Sequence, residues 1–118
     1  MSKFLVLYSA PVSVIDEWMK TPVEVRREAE AKMMQDWKNW MADHAKLFAD
    51  KGAGVGKTKR VTSQGVADTR NDIMLYAVVE AESHDAAAKA FEGHPHFGIP
   101  QASIEVMPLN PMPDTEGK

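Results

Sequence analysis

The histidines are the side chains of this chain best suited to acid–base chemistry. His94 and His96 flank a single proline, and His44 lies on the apolar side of a predicted helix. Imidazole exchanges a proton near neutral pH, so His44 and His94 are the candidate catalytic pair, provided that the fold brings them together. The alternative for His44 is a core residue whose ring makes one hydrogen bond, and the alternative for the other two is a rigid polar loop.

The same histidines raise the question of a metal site. His94 and His96 are spaced to chelate an ion, but a catalytic zinc site needs a third protein ligand. His44 or Glu105 could supply it only if the fold brought either of them close. The chain has no cysteine, which excludes disulfides, a thiol nucleophile and cysteine-based metal centres. We therefore predict no metal.

A Gly-Lys-Thr sequence within residues 51–58 is not a phosphate-binding loop. Lys51 stands where the first glycine of that motif is needed. The segment also leads from a predicted helix into a predicted strand, whereas the motif must open a helix. We predict no nucleotide or other cofactor.

Aromatic residues could form the wall of a small-molecule pocket. Trp37 and Trp40 share the apolar side of the long helix, and Tyr8 lies on the first predicted strand. Such walls suit small planar ligands, with His96 as a further ligand-binding candidate. The alternative is plain core packing.

Two helices are predicted to position these side chains. The first begins after Pro22 and runs to about Lys51, because apolar residues recur at three- and four-residue steps and Gly52 is placed to end it. Residues 12–20 form either a short preceding helix or an ordered loop. Ser83 is predicted to cap the second helix, which buries an alanine-rich stripe that includes Phe91.

Four strands are predicted, the second of them from an extended run that is polar and basic, and residues 62–71 are predicted to be a loop. The strands cover residues 3–9, 54–61, 72–80 and 102–107. With right-handed crossovers, this order predicts an α+β, ferredoxin-like βαββαβ fold: an antiparallel four-stranded sheet with two helices on one face. Strands one and three are central, and the polar second strand lies at an edge. Residues 1–110 form one domain, and residues 111–118 are a mobile tail.

The two central strands predict a homodimer. Both are apolar on both faces, as Phe4 and Val6 alternate with Leu5 and Leu7 in the first of them. Two helices cover only one face of the sheet, and each large side chain left in water would forgo about 1.5–3 kcal/mol. A second copy of the sheet is the simplest cover, although the tail or residues 12–20 could cover part of it.

Composition excludes other partners. The chain has 118 residues and a net charge of -3, which argues against binding to nucleic acid or to an anionic membrane surface. No run approaches the roughly 20 apolar residues that span a bilayer. Residues 4–8 are better explained as a strand than as a signal peptide, so we predict a cytoplasmic protein.

Several segments, taken together in order, resemble the YCII-related family, which includes the DGPF-type proteins. They are residues 4–8, 37–41, 52–54, 76–86 and 103–108. The resemblance implies a dimeric α+β barrel. It also implies enzymatic activity through a helix histidine and an aspartate before a proline, but Trp40 and His94 fall at those positions here. Residues 62–66 replace the Asp-Gly-Pro-Phe signature, so the family's catalytic pair does not carry over.

These features predict a small homodimeric barrel that binds, and in one reading transforms, a small organic molecule. The sequence leaves open whether the protein is an enzyme. One alternative is a regulatory or interaction module, because the resemblance includes relatives linked to transcription initiation. Another is a cofactor-free monooxygenase-like enzyme on the same fold.

Overall fold

A computed structural model describes residues 1–112 of the chain. The strands are β1 (Ser2–Ser9), β2 (Phe48–Gly54), β3 (Thr58–Thr62), β4 (Gly65–Thr69), β5 (Ile73–Ala81) and β6 (Ser103–Pro108). The α-helices are α1 (Val12–Met19), α2 (Val23–Asp43) and α3 (His84–Lys89), and short 3-10 helices cover Ala45–Leu47 and Pro95–Gly98. Most of the predicted tail, residues 113–118, lies outside the described residues.

The main sheet has four antiparallel strands in the order β2-β5-β1-β6. The central strands are β1 and β5, which are the two runs predicted to be apolar on both faces. This confirms an α+β fold with a four-stranded antiparallel sheet, and it is compatible with the ferredoxin-like arrangement. None of the helices within residues 1–112 is long and apolar enough to cross a membrane.

The predicted end of the long helix and the predicted second strand are both wrong. Helix α2 stops at Asp43, because His44 leaves the helical conformation with φ -119° and ψ 21°. The edge strand β2 then begins at Phe48, six residues before the predicted position 54. Leu47 and Phe48 continue the helical spacing of apolar residues, so periodicity alone could not locate this boundary.

Gly52 belongs to β2 rather than to a helix end. Its φ is +73°, and a Cβ built on it would lie 1.7 Å from the carbonyl oxygen of Tyr76 on β5. Only glycine fits this close approach between two paired strands. The register between β2 and β5 is irregular on both sides of Asp50, as expected of a bulged edge strand.

Residues 62–71 are not the predicted loop. β3 and β4 form a separate two-stranded hairpin with the pairs Thr58–Thr69 to Thr62–Gly65 in register. The turn is favoured by Gly65, with φ +122°, and by a hydrogen bond from the Gln64 N–H to the Thr62 hydroxyl. Polar side chains on both strands concealed this hairpin from a hydrophobicity pattern.

The core lies between one face of the main sheet and helices α2 and α3. The sheet contributes Phe4, Val6, Tyr8, Ala77 and Val79, and the helical side contributes Trp40, Ala87 and Phe91. Ser83 caps α3 as predicted, since its hydroxyl accepts a hydrogen bond from the Ala86 N–H. The core therefore holds α2, α3 and β1 together at the position where the predicted site residues meet.

The opposite face of the main sheet, which we call the open face, carries Leu5 and Leu7 on β1 and Tyr76 and Val78 on β5, all half-buried. The predicted alternation of strands one and three is thus confirmed. Helix α1, which covers residues 12–19, has no buried residue.

Candidate functional site

Five of the predicted site residues meet with Phe91 in one group of rings, the aromatic–histidine cluster. It consists of Tyr8 from β1, Trp37 and Trp40 from α2, Phe91 from the turn after α3, His94, and His96 from the 3-10 helix Pro95–Gly98. The His94 ring centre lies 4.5 Å from that of Trp37, 4.3 Å from that of Trp40 and 5.3 Å from that of Tyr8. Residues 86 positions apart in the chain therefore form one site.

His94 has a fixed tautomer and an unused hydrogen-bond donor. Its Nδ1 accepts a hydrogen bond of 2.9 Å from the backbone N–H of His96, so the neutral ring carries its proton on Nε2. His94 is 2% exposed, and its buried Nε2 has no hydrogen-bond partner. The indole nitrogens of Trp37 and Trp40 are donors only and cannot accept this proton.

The surroundings of His94 keep its ring uncharged. Burial is the main cause that lowers the pKa of His94 to about 4, and the neighbouring His96 and His44 lower it further. His94 is therefore neutral at physiological pH, and its Nε2–H is available as a donor. A base with so low a pKa is a weak proton acceptor near neutrality.

His96 anchors the loop to the sheet. It is 1% exposed, and its Nε2 donates a hydrogen bond of 2.9 Å to the carbonyl oxygen of Ser9 at the end of β1. Burial lowers the pKa of His96, and the carbonyl groups of Ser9 and Ser103 partly oppose that effect. The ring thus fixes the position of the 94–98 loop against β1.

His44 reaches the cluster by stacking on Trp40. Its ring lies 3.9 Å from the Trp40 indole, centre to centre, and is nearly parallel to it. Its Nδ1 donates a hydrogen bond of 2.8 Å to the carbonyl oxygen of Trp40, so Nε2 keeps the lone pair when the ring is neutral. His44 and His94 both contact Trp40, and no hydrogen bond joins them in the described chain.

Tyr8 contributes a neutral phenol. The residue is 1% exposed, and burial raises the pKa of its hydroxyl well above the usual value. Its ring packs against Trp37, Phe91 and both loop histidines. Tyr8 therefore packs against four other rings of the cluster and is uncharged.

The metal ligands considered for this site do not converge. Within residues 1–112, no three His, Cys, Asp or Glu side chains are grouped as ligands would be. Glu105 pairs with Leu7, whose side chain is on the open face, whereas Ile104 pairs with the buried Tyr8. Alternation along β6 therefore places Glu105 on the opposite side of the sheet from His94 and His96.

Sequence reasoning missed the part that Phe91 plays in the site. A cavity of 390 Å³ lies beside the cluster and is lined by Ala88, Phe91, Glu92, Gly93, Phe97, Ile104 and Val106. Phe91 belongs to both the cavity wall and the cluster, and Gly93 immediately precedes His94. The signal available in the sequence was the three-residue spacing from Phe91, at the end of an apolar helix stripe, to His94.

Comparison of the chain with protein-family models and with curated protein sequences finds no match. The resemblance to the YCII-related family therefore stays a prediction from the residues that carry it.

Proposed function

We propose that this protein is a homodimer that binds a small planar organic molecule carrying a hydrogen-bond acceptor, such as an aromatic carbonyl compound, next to His94. The observation that carries the proposal is the buried, partnerless Nε2–H of His94 within a cluster of aromatic rings. Aromatic walls and one directed donor are typical of small-molecule sites.

The unsatisfied donor supports a ligand with an acceptor group. A buried donor without a partner destabilises a fold by about 1–3 kcal/mol. A ligand carbonyl or carboxylate that accepted this hydrogen bond would recover that energy, and the indoles of Trp37 and Trp40 would pack against its ring. The 390 Å³ cavity borders the cluster through Phe91 and is not lined by His94, so a molecule bound there would reach the His94 donor only if the Phe91 side chain moved.

The dimer is supported by the open face. Leu5, Leu7, Tyr76 and Val78 remain half-buried there within a single chain, and helix α1 buries none of its own residues. Packing this face against the same face of a second copy would form a closed dimeric α+β barrel. The interaction would be symmetric, because both copies offer the same patch.

An acid–base enzyme is the second candidate function, favoured by the complementary tautomers of the two histidines. The Nε2 of His94 carries a proton, whereas the Nε2 of neutral His44 carries a lone pair. The rings of both histidines contact Trp40. A substrate held between them would meet a donor and an acceptor. In this candidate, His94 polarises a substrate oxygen as a neutral donor and His44 removes a proton.

Ligand binding is tested by fluorine NMR with a matched pair of probes. We expect para-fluoroacetophenone to show protein-dependent line broadening, and para-fluoroethylbenzene, which lacks the acceptor, to bind at least about tenfold more weakly. The His94→Asn variant keeps an acceptor for the His96 N–H but loses the Nε2 donor, so it should bind both probes equally. Chemical-shift change of the His94 Nε2 proton on adding the ketone would identify the contact.

Two results would contradict the proposed function. Equal affinity of the two probes for the native protein would exclude hydrogen bonding by His94 as the basis of recognition. Failure of para-fluoroacetophenone and of para-fluorobenzoate to bind would exclude the aromatic carbonyl class, and would favour a regulatory or interaction module.

A further inference from the structure

The β3–β4 hairpin extends from the main sheet, and only its base is partly buried. Its two strands form their own sheet, and every residue from position 59 to position 68 is exposed. Val61 and Val66 face each other across the strands near the tip, with 74% and 66% of their surface accessible. An isolated two-stranded hairpin is at best marginally stable in water, so this one needs a cover.

The hairpin is held at its base and bare at its tip. Arg70 makes two hydrogen bonds, of 2.9 and 3.1 Å, to the carboxylate of Asp16 on α1. The side chain of Asn71 donates to the Thr58 hydroxyl at 3.4 Å. These contacts fix the direction in which the hairpin leaves the sheet and leave the valine pair beyond the protomer's own core.

The shape of the protomer fits a chain that completes itself with another copy. Its radius of gyration is 17.0 Å, against about 13.5 Å for a compact domain of this length. Its extents are 58 × 43 × 19 Å, and the smallest of them corresponds to a thin slab with one sheet and one helical layer. Two apolar surfaces of this slab are incompletely covered: the open face is half-buried, and the valine pair of the hairpin is exposed.

Charge also favours a second copy as the occupant. The first strand of the hairpin and the turn before it carry Lys57, Lys59 and Arg60, of which Lys59 pairs with Asp68 of β4. The open face carries Glu80 and Glu105 among its apolar side chains, with Lys3 opposite Glu80. A two-fold assembly covers both apolar surfaces of both copies and places basic arms near acidic groups.

We propose that the β3–β4 hairpin is an intersubunit arm that packs its Val61–Val66 pair on the second copy of this chain. The proposal rests on the homodimer of the proposed function and adds the hairpin as an element that contacts the second copy. In the dimer, the valine pair is buried at the contact and the arm shields the edge of the sheet-to-sheet interface.

The first test uses cysteine labelling, which is simple because the chain has no native cysteine. In the Val66→Cys variant, we expect maleimide to react at least about fivefold more slowly with the dimer than with the diluted monomer. Met112→Cys, at a position that is 87% exposed, is the control and should react equally in both states. Equal reactivity of the hairpin cysteine in the two states would overturn the arm.

The second test measures dimerisation by sedimentation equilibrium. Val61→Ser combined with Val66→Ser removes four exposed valines from each dimer and should raise its dissociation constant by at least about tenfold. Val25→Ser on α2, another exposed valine, is the control and should change it less than about twofold.

The outcomes separate the arm from the dimer. A native dimer whose affinity is unchanged by the two hairpin substitutions refutes the arm and leaves the dimer in place. A native protein that stays monomeric at all concentrations refutes the dimer and the arm together. Circular dichroism of each variant should match the native spectrum, because the substituted side chains are exposed.

Discussion

His94 differs from His44 and His96 in what its ring nitrogens contact. His44 and His96 each donate to a backbone carbonyl oxygen, whereas the proton of His94 has no acceptor. The two carbonyl-bound rings are explained by structure alone. His94 is the histidine for which packing provides no explanation, and it therefore carries the proposed ligand contact.

Stability should depend on pH through His94. Its pKa is about 4 in the folded protein and about 6.5 in an unfolded chain, so the unfolded state binds more protons between these values. The free energy of unfolding should therefore decrease as pH falls through this window, by about 3 kcal/mol from this residue. Burial of His96 acts in the same direction.

Urea denaturation at about pH 7.5 and about pH 5 measures about 2 kcal/mol of this effect, because pH 5 lies above the folded pKa of His94. His94→Asn should lose clearly less stability between the two pH values than the native protein, because asparagine does not titrate. Equal pH dependence in native protein and His94→Asn would contradict the assignment.

The sequence identified the site residues by type but not their states. Whether His44 and His94 meet was left to the fold, and in the structure both rings contact Trp40. Tyr8, Trp37 and Trp40 lie on elements whose apolar side was recognisable, whereas His94 lies in a predicted polar loop. The tautomers could not be predicted, since they depend on Trp40, Ser9 and His96 backbone groups that only the fold brings near. The missing acceptor of His94 depends in turn on those tautomers.

At the scale of elements, the strands were predicted best where they are apolar. β1, β5 and β6 lie within two residues of their predicted bounds, because runs of consecutive apolar residues predict their burial. β2 and the hairpin were misplaced, because their side chains are polar and their positions depend on backbone pairing. Gly52 gave a misleading signal, since a glycine with positive φ serves an edge-strand bulge as well as a helix end.

Gly52 should be the glycine least tolerant of substitution in β2. Gly52→Ala places a methyl group against the Tyr76 carbonyl and forces a positive φ on alanine, so it should reduce the free energy of unfolding by about 2–4 kcal/mol. Gly56→Ala is the matched control, since nothing lies within 4 Å of its Cβ position, and it should change stability by less than about 1 kcal/mol. Urea denaturation compares the two, and similar losses would show that β2 is not paired as described.

At the scale of the whole molecule, the chain is a slab of one sheet and one helical layer. The helices cover only one face of the sheet, and the cluster lies on that face. The helices bury Phe4, Val6 and Tyr8 and leave Leu5 and Leu7 on the open face. This asymmetry was predictable from the alternation of β1, because a period-two pattern with no polar member requires a cover on both faces. The sequence left open whether a second copy, the tail or residues 12–20 supplies that cover, because the alternation shows only that a cover is needed.

The open face predicts how one substitution should act on assembly. Leu7→Lys places a charge at the centre of the proposed interface but only at a half-buried position of the protomer. It should weaken the dimer by at least about a hundredfold while the chain stays folded. Val25→Lys, on the exposed surface of α2, is the control and should leave the dimer intact.

Sedimentation equilibrium of the native chain between about 1 and about 100 µM is the most direct measurement of the homodimer on which the barrel depends. We expect a mass twice that of one chain at the upper end of this range, with dissociation to the monomer on dilution or on substitution of Leu7 by lysine. A single species with the mass of one chain at every concentration would contradict the barrel.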